Sequence, residues 1–395
     1  MAEINTGKDV KTIAFYLPQY HEIPENDEWW GKGFTEWTNT KRAKPLFEGH
    51  YQPKTPLHEN YYDLVLDENV MIEQAMLAKK YGVWGFCYYH YWFKDGRKLL
   101  EKPVERMLSD DRIDIPYCLC WANENWSRNW DGGNNEVIME QDYGGEEDWE
   151  KHFCYLLDFI RDERYISFDG KPILVIYKPQ LMKRLNEMLD YWQKRAKECG
   201  LKGLVFAYQY PTWYFMKDYD PSRFDYRIGF EPVLSNTFMQ RQTRVKILLH
   251  KIRQFYYKNY KKLFKETVIR EKQKDMSKER TLKKFDYDAV WEKSLNIYHD
   301  KKLLNGAFTD WDNTARNVKG ALHLGAAPDK FERYMTRLIC EVFQKDKDRV
   351  IFVNAWNEWA EGCYLEPDEK NGYGYLEALK KALETNHALP GSVSD

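Results

Sequence analysis

The feature that most constrains the fold is a regular alternation of short apolar runs with longer helical patterns. Eight runs are rich in β-branched and aromatic residues, at residues 11–20, 81–93, 115–121, 172–178, 203–210, 226–230, 306–311 and 349–356. Six stretches between them carry apolar residues near helical spacing, at residues 67–81, 99–108, 146–161, 181–200, 288–303 and 328–345. Strands that alternate with helices form parallel βαβ units, and eight such strands predict an α/β fold of the closed (β/α)₈ TIM barrel type.

A doubly wound open sheet is the alternative arrangement of the same elements. Nucleotide-binding folds of that kind carry a G-x-G-x-x-G turn after the first strand or a G-x-x-x-x-G-K-[ST] loop, and this sequence has neither. We therefore expect one barrel domain spanning residues 1–395, with its site at the carboxyl ends of the strands. The long connections at residues 21–66 and 122–145 are rich in Trp, Gly, Pro and Asn, and we expect them to form walls of that site.

Polar and aromatic side chains follow nearly every predicted strand. Those that we predict to contact a substrate are Tyr16, Gln19, His21, Trp30, Glu36, Trp37, His90, Tyr91, Trp121, Asn123, Glu124, Trp126, Arg128, Glu231, Asp310, Asp312, Trp356 and Asn357. Aromatic residues make up 16% of the chain, and flat rings with polar tips suit pyranose sugars. Converging at one mouth, these side chains predict a carbohydrate site. For Glu231, which precedes a proline, a helix cap or an ion pair is an open alternative.

The sharpest candidate for chemistry is the pair Glu358 and Glu361 in the run NAWNEWAEGCYLEP. Residues three apart face the same side of a helical turn or tight loop, so the two carboxylates can converge just after the eighth strand. Glycoside cleavage needs one protonated and one ionised carboxyl, and the neighbouring Trp356 and Trp359 provide apolar surroundings that raise a pKa. We predict that Glu358 and Glu361 are catalytic, against the alternative of a solvated ExxE on a helix surface.

Composition argues against several other functions. A net charge of −2 gives no overall attraction to nucleic acid. Seven scattered cysteines without C-x-x-C, and nine histidines without H-x-x-x-H or H-E-x-x-H, predict no disulfide framework, metal site or cofactor. The Asp310-Trp-Asp312 pair resembles the D-x-D of metal-dependent glycosyltransferases, but such short matches also occur at residues 286–288 and 346–348.

One strongly basic segment interrupts the alternation between the sixth and seventh strands. Residues 241–284 contain sixteen Lys or Arg against four Asp or Glu, a local charge of +12. We interpret the segment as a basic amphipathic helical insertion that lies on an anionic membrane surface, binds an acidic polymer or is a solvated excursion. The amino terminus lacks an apolar signal region and no run is long enough to cross a bilayer, so we expect a cytoplasmic protein, with this segment as the one candidate for peripheral contact with the inner membrane.

Four segments carry a family resemblance: YHEIPENDEWWGKGFTEW, CWANENWSRNWDG, FTDWDNTAR and NAWNEWAEGCYLEP. They resemble the WbsX-type proteins of bacterial surface-polysaccharide gene clusters, which in turn resemble glycoside hydrolase family 99, the endo-α-mannosidases. The resemblance implies a (β/α)₈ barrel with retaining cleavage and no metal. It implies that Glu358 deprotonates the substrate's own 2-hydroxyl and that Glu361 is the general acid/base. Ala360 departs from the hydrolase pattern, in which a bulkier residue, often histidine, lies between the two carboxylates.

Together these features predict a retaining endo-type glycoside hydrolase whose partner is a bacterial surface oligosaccharide or polysaccharide, of the O-antigen or capsule type. A glycosyltransferase of polysaccharide biosynthesis is the first alternative, supported by the usual label of the WbsX group and weakened by the missing phosphate-binding loop. A non-catalytic glycan-binding barrel is the second. Such a barrel keeps the aromatic side chains but does not need two converging carboxylates.

Overall fold

The computed structural model describes residues 1–4, 9–127, 137–210, 221–240, 282–297, 302–345 and 348–390. Among them, eight parallel strands form a closed barrel. They are β1 Lys11–Tyr16, β2 Val83–His90, β3 Tyr117–Trp121, β4 Lys171–Ile176, β5 Val205–Tyr210, β6 Tyr226–Gly229, β7 Leu303–Phe308 and β8 Val350–Asn354. All eight predicted strands are present, and the predicted TIM barrel is confirmed.

Closure of the ring distinguishes this barrel from an open doubly wound sheet. Each strand pairs in parallel with the next along the chain, and β8 returns to β1 with Val350 opposite Lys11 and Val353 opposite Ala14. Strand residues such as Ile13 and Val353 are fully buried, because helices cover the outside of the ring and side chains fill its inside. All eight carboxyl ends therefore open at one rim.

Helices lie between the strands and after the last one. Their bounds are α1 Pro24–Trp30, α2 Glu36–Arg42, α3 Val70–Lys80, α4 Glu101–Ser109, α5 Glu146–Ile160, α6 Leu185–Glu198, α7 Val233–Gln240, α8 Tyr287–Leu295, α9 Pro328–Lys345 and α10 Gly374–Thr385. Burial of one face explains their stability, as in α6, where Leu185, Met188, Leu189 and Trp192 are buried. The short helices α1 and α2 belong to the first long loop, beside the rim.

Small strands outside the barrel shape its rim. Trp126–Ser127 pairs with Val137–Met139 after β3, and Asn357–Glu358 pairs with Cys363–Tyr364 after β8. Between the last two strands, Trp359–Glu361 forms a single 3₁₀ turn. The hairpin after β8 therefore carries both predicted catalytic glutamates.

The basic insertion lies largely outside the described residues, which resume at residue 282. Its predicted helical character is wrong at its end, where Lys283–Asp286 is a strand paired with Ala321–Leu324. Helix α8 also ends earlier than predicted, at Leu295, and β7 begins at Leu303. No helix in the described part of the chain is both long and apolar enough to cross a bilayer.

Candidate active site

The turn after β8 brings the two predicted catalytic carboxylates together. Glu358 ends the small strand that follows β8, and Glu361 closes the 3₁₀ turn. Gly362 then reverses the chain with a φ of 61°, and a Cβ there would lie 3.1 Å from the Asp312 amide nitrogen. Only glycine fits this position without strain, because it combines a left-handed backbone with close approach of a second loop. The glutamates thus converge on one side of a tight turn, as their spacing predicts.

A single buried guanidinium connects the pair to a third carboxylate. Arg316 donates from Nη1 to Glu361 at 2.6 Å, from Nη2 to Glu358 at 3.2 Å and from Nε to Glu36 at 2.8 Å. Its side chain is 14% exposed, against 0% for Glu36, 9% for Glu358 and 21% for Glu361. The most accessible carboxylate of the cluster is therefore Glu361, and Glu36 lies at its base.

Burial of this cluster changes the acidity of its carboxyl groups. It raises the pKa of Glu358 to about 8, with Arg316 acting in the opposite direction and the charges of Glu361 and Glu36 adding to the rise. Burial also raises the pKa of Glu361 above its ordinary value, again opposed by Arg316. Three carboxylates around one guanidinium carry excess negative charge in a poorly hydrated place, which favours retention of a proton. Because the two groups are coupled, that proton belongs to the pair.

The pair faces an open cleft at the barrel rim with an empty volume of about 1090 Å³. Its lining residues are Leu17, Gln19, Tyr89, Tyr91, Ala122, Glu124, Asn125, Trp126, Ser127, Tyr177, Phe230, Val233, Trp311, Asn313, Arg316, Glu358 and Glu361. The Gln19 amide donates to the Tyr91 hydroxyl at 2.7 Å, and the Trp126 ring meets the Tyr91 ring edge-on at 5.3 Å. The cleft therefore combines aromatic faces, amides and carboxyl groups, which is the set of contacts that sugars use.

Six predicted residues line this cleft. They are Gln19, Tyr91, Glu124, Trp126, Glu358 and Glu361. Glu36 reaches the same cluster through Arg316, and Trp30 lines a smaller pocket beside it. Glu124 also accepts a bond from Lys178, so its position at the wall is fixed. Arg128 lies outside the described residues.

Three predicted residues support the floor of the cleft from below. Asn357 Oδ1 accepts a hydrogen bond from the Leu17 amide at 2.8 Å, and Asn357 Nδ2 donates to the Leu17 carbonyl at 3.0 Å. Trp356 is fully buried, and the Trp37 indole nitrogen donates to a backbone carbonyl at 2.8 Å. Asn357 and Trp37 use their polar atoms within the protein and the Trp356 ring is enclosed, so these side chains lie beneath the cleft without lining it.

Other predicted residues are buried elsewhere. The Tyr16 hydroxyl donates to Gln74 at 2.6 Å, and His21 is enclosed away from the cleft. His90 Nε2 lies 2.9 Å from His152 Nε2, and burial lowers the pKa of His90 to about 3. A neutral, enclosed imidazole of this kind packs the fold between β2 and α5.

The predicted residues at the end of β3 and in the loop after it fall into two groups, those that line the cleft and those that hold the loop in place. Asn123 exchanges two hydrogen bonds with the Lys178 backbone, at 2.7 and 2.9 Å, and ties β3 to β4. The Trp121 indole nitrogen donates to the Trp92 carbonyl at 3.1 Å. The structure therefore brings Trp126 and Glu124 to the cleft, while Trp121 and Asn123 hold the loop that carries them.

Glu231 lies at the start of α7 and uses its carboxylate within the protein. It accepts from the Ser235 amide at 3.1 Å, from the Ser235 hydroxyl at 2.8 Å and from the Ser294 hydroxyl at 3.0 Å. These bonds cap the amino end of one helix and join it to α8. The geometry corresponds to the cap alternative for this residue.

The two aspartates after β7 have different hydrogen-bond partners. Asp312 Oδ2 lies 2.8 Å from both His50 Nε2 and Gln52 Nε2, and Oδ1 accepts from the amide and hydroxyl of Thr314. Asp310 lies 3.4 Å from Lys54 Nζ. In the ranges that the structure describes, no group of three or more His, Cys, Asp or Glu side chains has the geometry to hold a metal ion.

Arg316 is the central residue of this cluster, and the sequence alone does not predict it as a site residue. It ends the quoted segment FTDWDNTAR, but a lone arginine after a loop gives no local indication of its partners. Those partners lie 280, 42 and 45 residues away along the chain. Tyr89, Tyr177 and Trp311 also line the cleft without having been singled out. Strand-end position was the signal that could have found them.

Comparison with known proteins agrees with this architecture. The chain matches the family described as "Glycosyltransferase WbsX" over residues 12–379. Two relatives, each called "Uncharacterized protein WxcX" and both from Xanthomonas campestris pv. campestris, are 35% identical over 375 and 380 residues, 94% of this chain. These residues make up 49% of each relative, so the chain spans about half the length of the curated relatives that it matches.

Solved structures share the fold at low sequence identity. A "Glycoside hydrolase-like protein" has a TM-score of 0.52 and 11% identity, over 95% of this chain and 94% of its own. The GH99 endo-α-mannosidase from Bacteroides thetaiotaomicron has a TM-score of 0.50 and 12% identity, over 96% and 98%. At such identity the likeness concerns the fold, which is the predicted barrel. The match along almost the whole sequence shows that this chain belongs to the WbsX glycosyltransferase family.

Proposed function

We propose that the protein is a retaining endo-type glycoside hydrolase acting on a bacterial surface polysaccharide of the O-antigen or capsule type. The observation that carries the proposal is the cluster of Glu358, Glu361 and Glu36 on the single guanidinium of Arg316, at the wall of a large open cleft. Family membership and the shared hydrolase barrel support a glycan-active enzyme. The open cleft is suited to an internal segment of a long chain.

The proposed cleavage sets a requirement on the protonation of the pair. One carboxyl must be ionised to accept a proton, and the other must be protonated to donate one. A Glu358 pKa of about 8 lies near the operating pH, where a general base is most effective. Burial favours the proton on Glu358 in the free protein, so the proposed reaction requires bound substrate to shift it to Glu361, the more exposed of the two carboxyls.

The proposed reaction proceeds through the substrate's own hydroxyl. Glu358 takes the proton of the 2-hydroxyl, whose oxygen attacks the anomeric carbon while the bond to the leaving oxygen breaks. Glu361 gives its proton to that leaving oxygen, and a 1,2-anhydro sugar results. Water then opens this sugar, with Glu361 accepting the water proton and Glu358 returning a proton to the 2-oxygen. Two inversions at the anomeric carbon retain its configuration.

A glycosyltransferase is the second candidate function, because the matching family is described by that activity. Transfer from a nucleotide sugar requires a site for a diphosphate, for which the sequence shows no Gly-rich loop. In the described residues, the D-x-D aspartates bind His50, Gln52, Thr314 and Lys54 and leave no shared metal position. These observations favour hydrolysis of the glycan.

The test is incubation of the chain with a panel of capsular and O-antigen polysaccharides, with and without nucleotide sugars, read by mass spectrometry. We expect release of oligosaccharides without nucleotide, unchanged by EDTA and absent in the Glu361→Gln protein. Products that contain a new sugar only when nucleotide sugar is supplied, and that vanish with EDTA, would establish the transferase. Binding of glycan without any product, with or without nucleotide sugar, would indicate a non-catalytic glycan-binding barrel.

A further inference from the structure

A smaller pocket adjoins the cleft on the far side of Trp126. Its lining residues are Gln19, Asn26, Trp30, Phe34, Asn39, Arg42, Trp126, Ser127 and Ile138, and we call it the side pocket. Gln19, Trp126 and Ser127 line both spaces, so a ligand in the cleft continues into the side pocket past one indole ring. Its empty volume, open solvent included, is about 460 Å³.

The walls of the side pocket combine rings with amides. Trp30, Phe34 and Trp126 are half-buried, so each ring keeps an accessible surface on which a pyranose can stack. Asn26 is only 4% exposed, and its side-chain amide makes no hydrogen bond within the described residues. A buried amide that lines a cavity and lacks a protein partner is suited to a ligand hydroxyl.

The charge of the side pocket differs from that of the cleft. The cleft is lined by Glu124, Glu358 and Glu361, whereas the side pocket contains no carboxylate among its described lining residues and one cation, Arg42. Nowhere in the described ranges does a carboxylate pair with Arg42. This guanidinium is therefore available to an anion at the edge of an aromatic pocket.

The orientation of Arg42 is set by the catalytic cluster. Its Nη2 donates to Asn39 Oδ1 at 2.6 Å, and Asn39 Nδ2 donates at 3.4 Å to Glu36, the carboxylate that also binds Arg316. One hydrogen-bond chain thus runs from the side pocket to the catalytic cluster. The other donors of the Arg42 guanidinium remain for a planar, singly charged partner, which a carboxylate matches with two parallel bonds.

From these contacts we propose that the side pocket is a second sugar subsite and that Arg42 selects a sugar carrying a carboxylate, a uronic acid residue of the glycan. Trp30 and Trp126 stack on the ring, Asn26 binds its hydroxyls and Arg42 binds the acid. The inference rests on the proposed function in that it assumes a glycan in the cleft. It adds that the unit recognised beside the cleavage point is acidic.

The test is ligand-observed saturation-transfer NMR on the full chain with methyl β-D-glucuronide and methyl β-D-glucoside, which differ at the carboxylate. We expect the glucuronide to bind at least fivefold more tightly. Arg42→Gln should abolish that preference, because Arg42 is exposed and its loss leaves the fold intact. The matched control is Lys41→Gln, which removes the adjacent exposed cation outside the pocket and should retain the preference. Trp30→Ala should weaken the binding of both glycosides.

Three results would overturn the subsite proposal. They are equal affinity for the two glycosides, no binding of either, and a preference that persists in Arg42→Gln. The same titration on Glu361→Gln separates this result from the catalytic proposal. Full cleavage by Glu361→Gln together with a retained glucuronide preference removes the catalytic assignment and leaves the subsite standing. Loss of cleavage in Glu361→Gln without any glucuronide preference in the wild type removes only the subsite.

Discussion

Two carboxylate pairs lie at neighbouring strand ends of this barrel and differ in the groups that surround them. Asp310 and Asp312 follow β7, and Glu358 and Glu361 follow β8, which pairs directly with β7. Asp312 is surrounded by donors from His50, Gln52 and Thr314. The glutamates instead share Arg316 and face the cleft. Both pairs follow neighbouring strands, so the groups that surround each pair decide which one faces the cleft and which one is held within the loops.

The largest expected effect tests the reactive half of this comparison. Glu361→Gln and Glu358→Gln should each lower turnover by roughly 10²–10⁴-fold, the usual contribution of a general acid or base. Their melting temperatures should stay close to that of the wild type, since Arg316 keeps Glu36 as a partner. Steady-state cleavage of a responsive polysaccharide, with Asp310→Asn as the control, measures the effect. Turnover within twofold of wild type would remove the residue from the mechanism.

A second prediction concerns the guanidinium that distinguishes the two pairs. Arg316 lowers the pKa of both glutamates, so Arg316→Gln should raise it and move the acidic limb of the pH–rate profile upward by about 1–3 pH units. Below the new limb, activity should fall about tenfold for each pH unit. Arg316→Lys keeps a positive charge and should leave the limb nearer to that of the wild type. An unmoved limb in Arg316→Gln would mean that Arg316 does not control the pair.

A third prediction tests the structural half. Asp312→Asn places an amide among donors from His50 and Gln52, so the free energy of unfolding should fall by about 1–3 kcal/mol. Asp310→Asn should cost less, because burial already raises the pKa of Asp310 and it has a single cationic neighbour at 3.4 Å. Urea denaturation monitored by fluorescence gives both values. A more stable Asp312→Asn protein would contradict the assigned role.

A fourth prediction sharpens the comparison through pH. Folded Glu358 holds its proton up to about pH 8, whereas the unfolded group releases it near 4.5, so wild-type stability from this group falls as pH rises through that window. The stability of Glu358→Gln relative to wild type should therefore increase between pH 5 and pH 8. The control is Glu150→Gln, because Arg195 holds the pKa of Glu150 at about 2 and its contribution is constant over that range. Parallel stability curves for Glu358→Gln and wild type would refute the buried, protonated state.

Much of the site could be predicted because its information is local. The alternation of strands and helices and the three-residue spacing of Glu358 and Glu361 both lie within short stretches, and the barrel and the converging pair follow from them. Trp356 and Asn357 share that stretch, yet they pack beneath the cleft. A strand end places a residue at the rim but does not say on which side of the turn its side chain points.

By itself, the sequence determined the closed barrel, and it predicted a site at the strand ends with Glu358 and Glu361 converging there. Only the tertiary structure decided that Arg316 joins them to Glu36, that Asp312 and Glu231 stabilise loops and that Arg42 lies beside a second pocket. The reason is physical: backbone propensity and apolar spacing act over a few residues. The burial, charge and hydrogen bonding that fix a side chain's role come from loops hundreds of residues apart, which meet only when the ring closes.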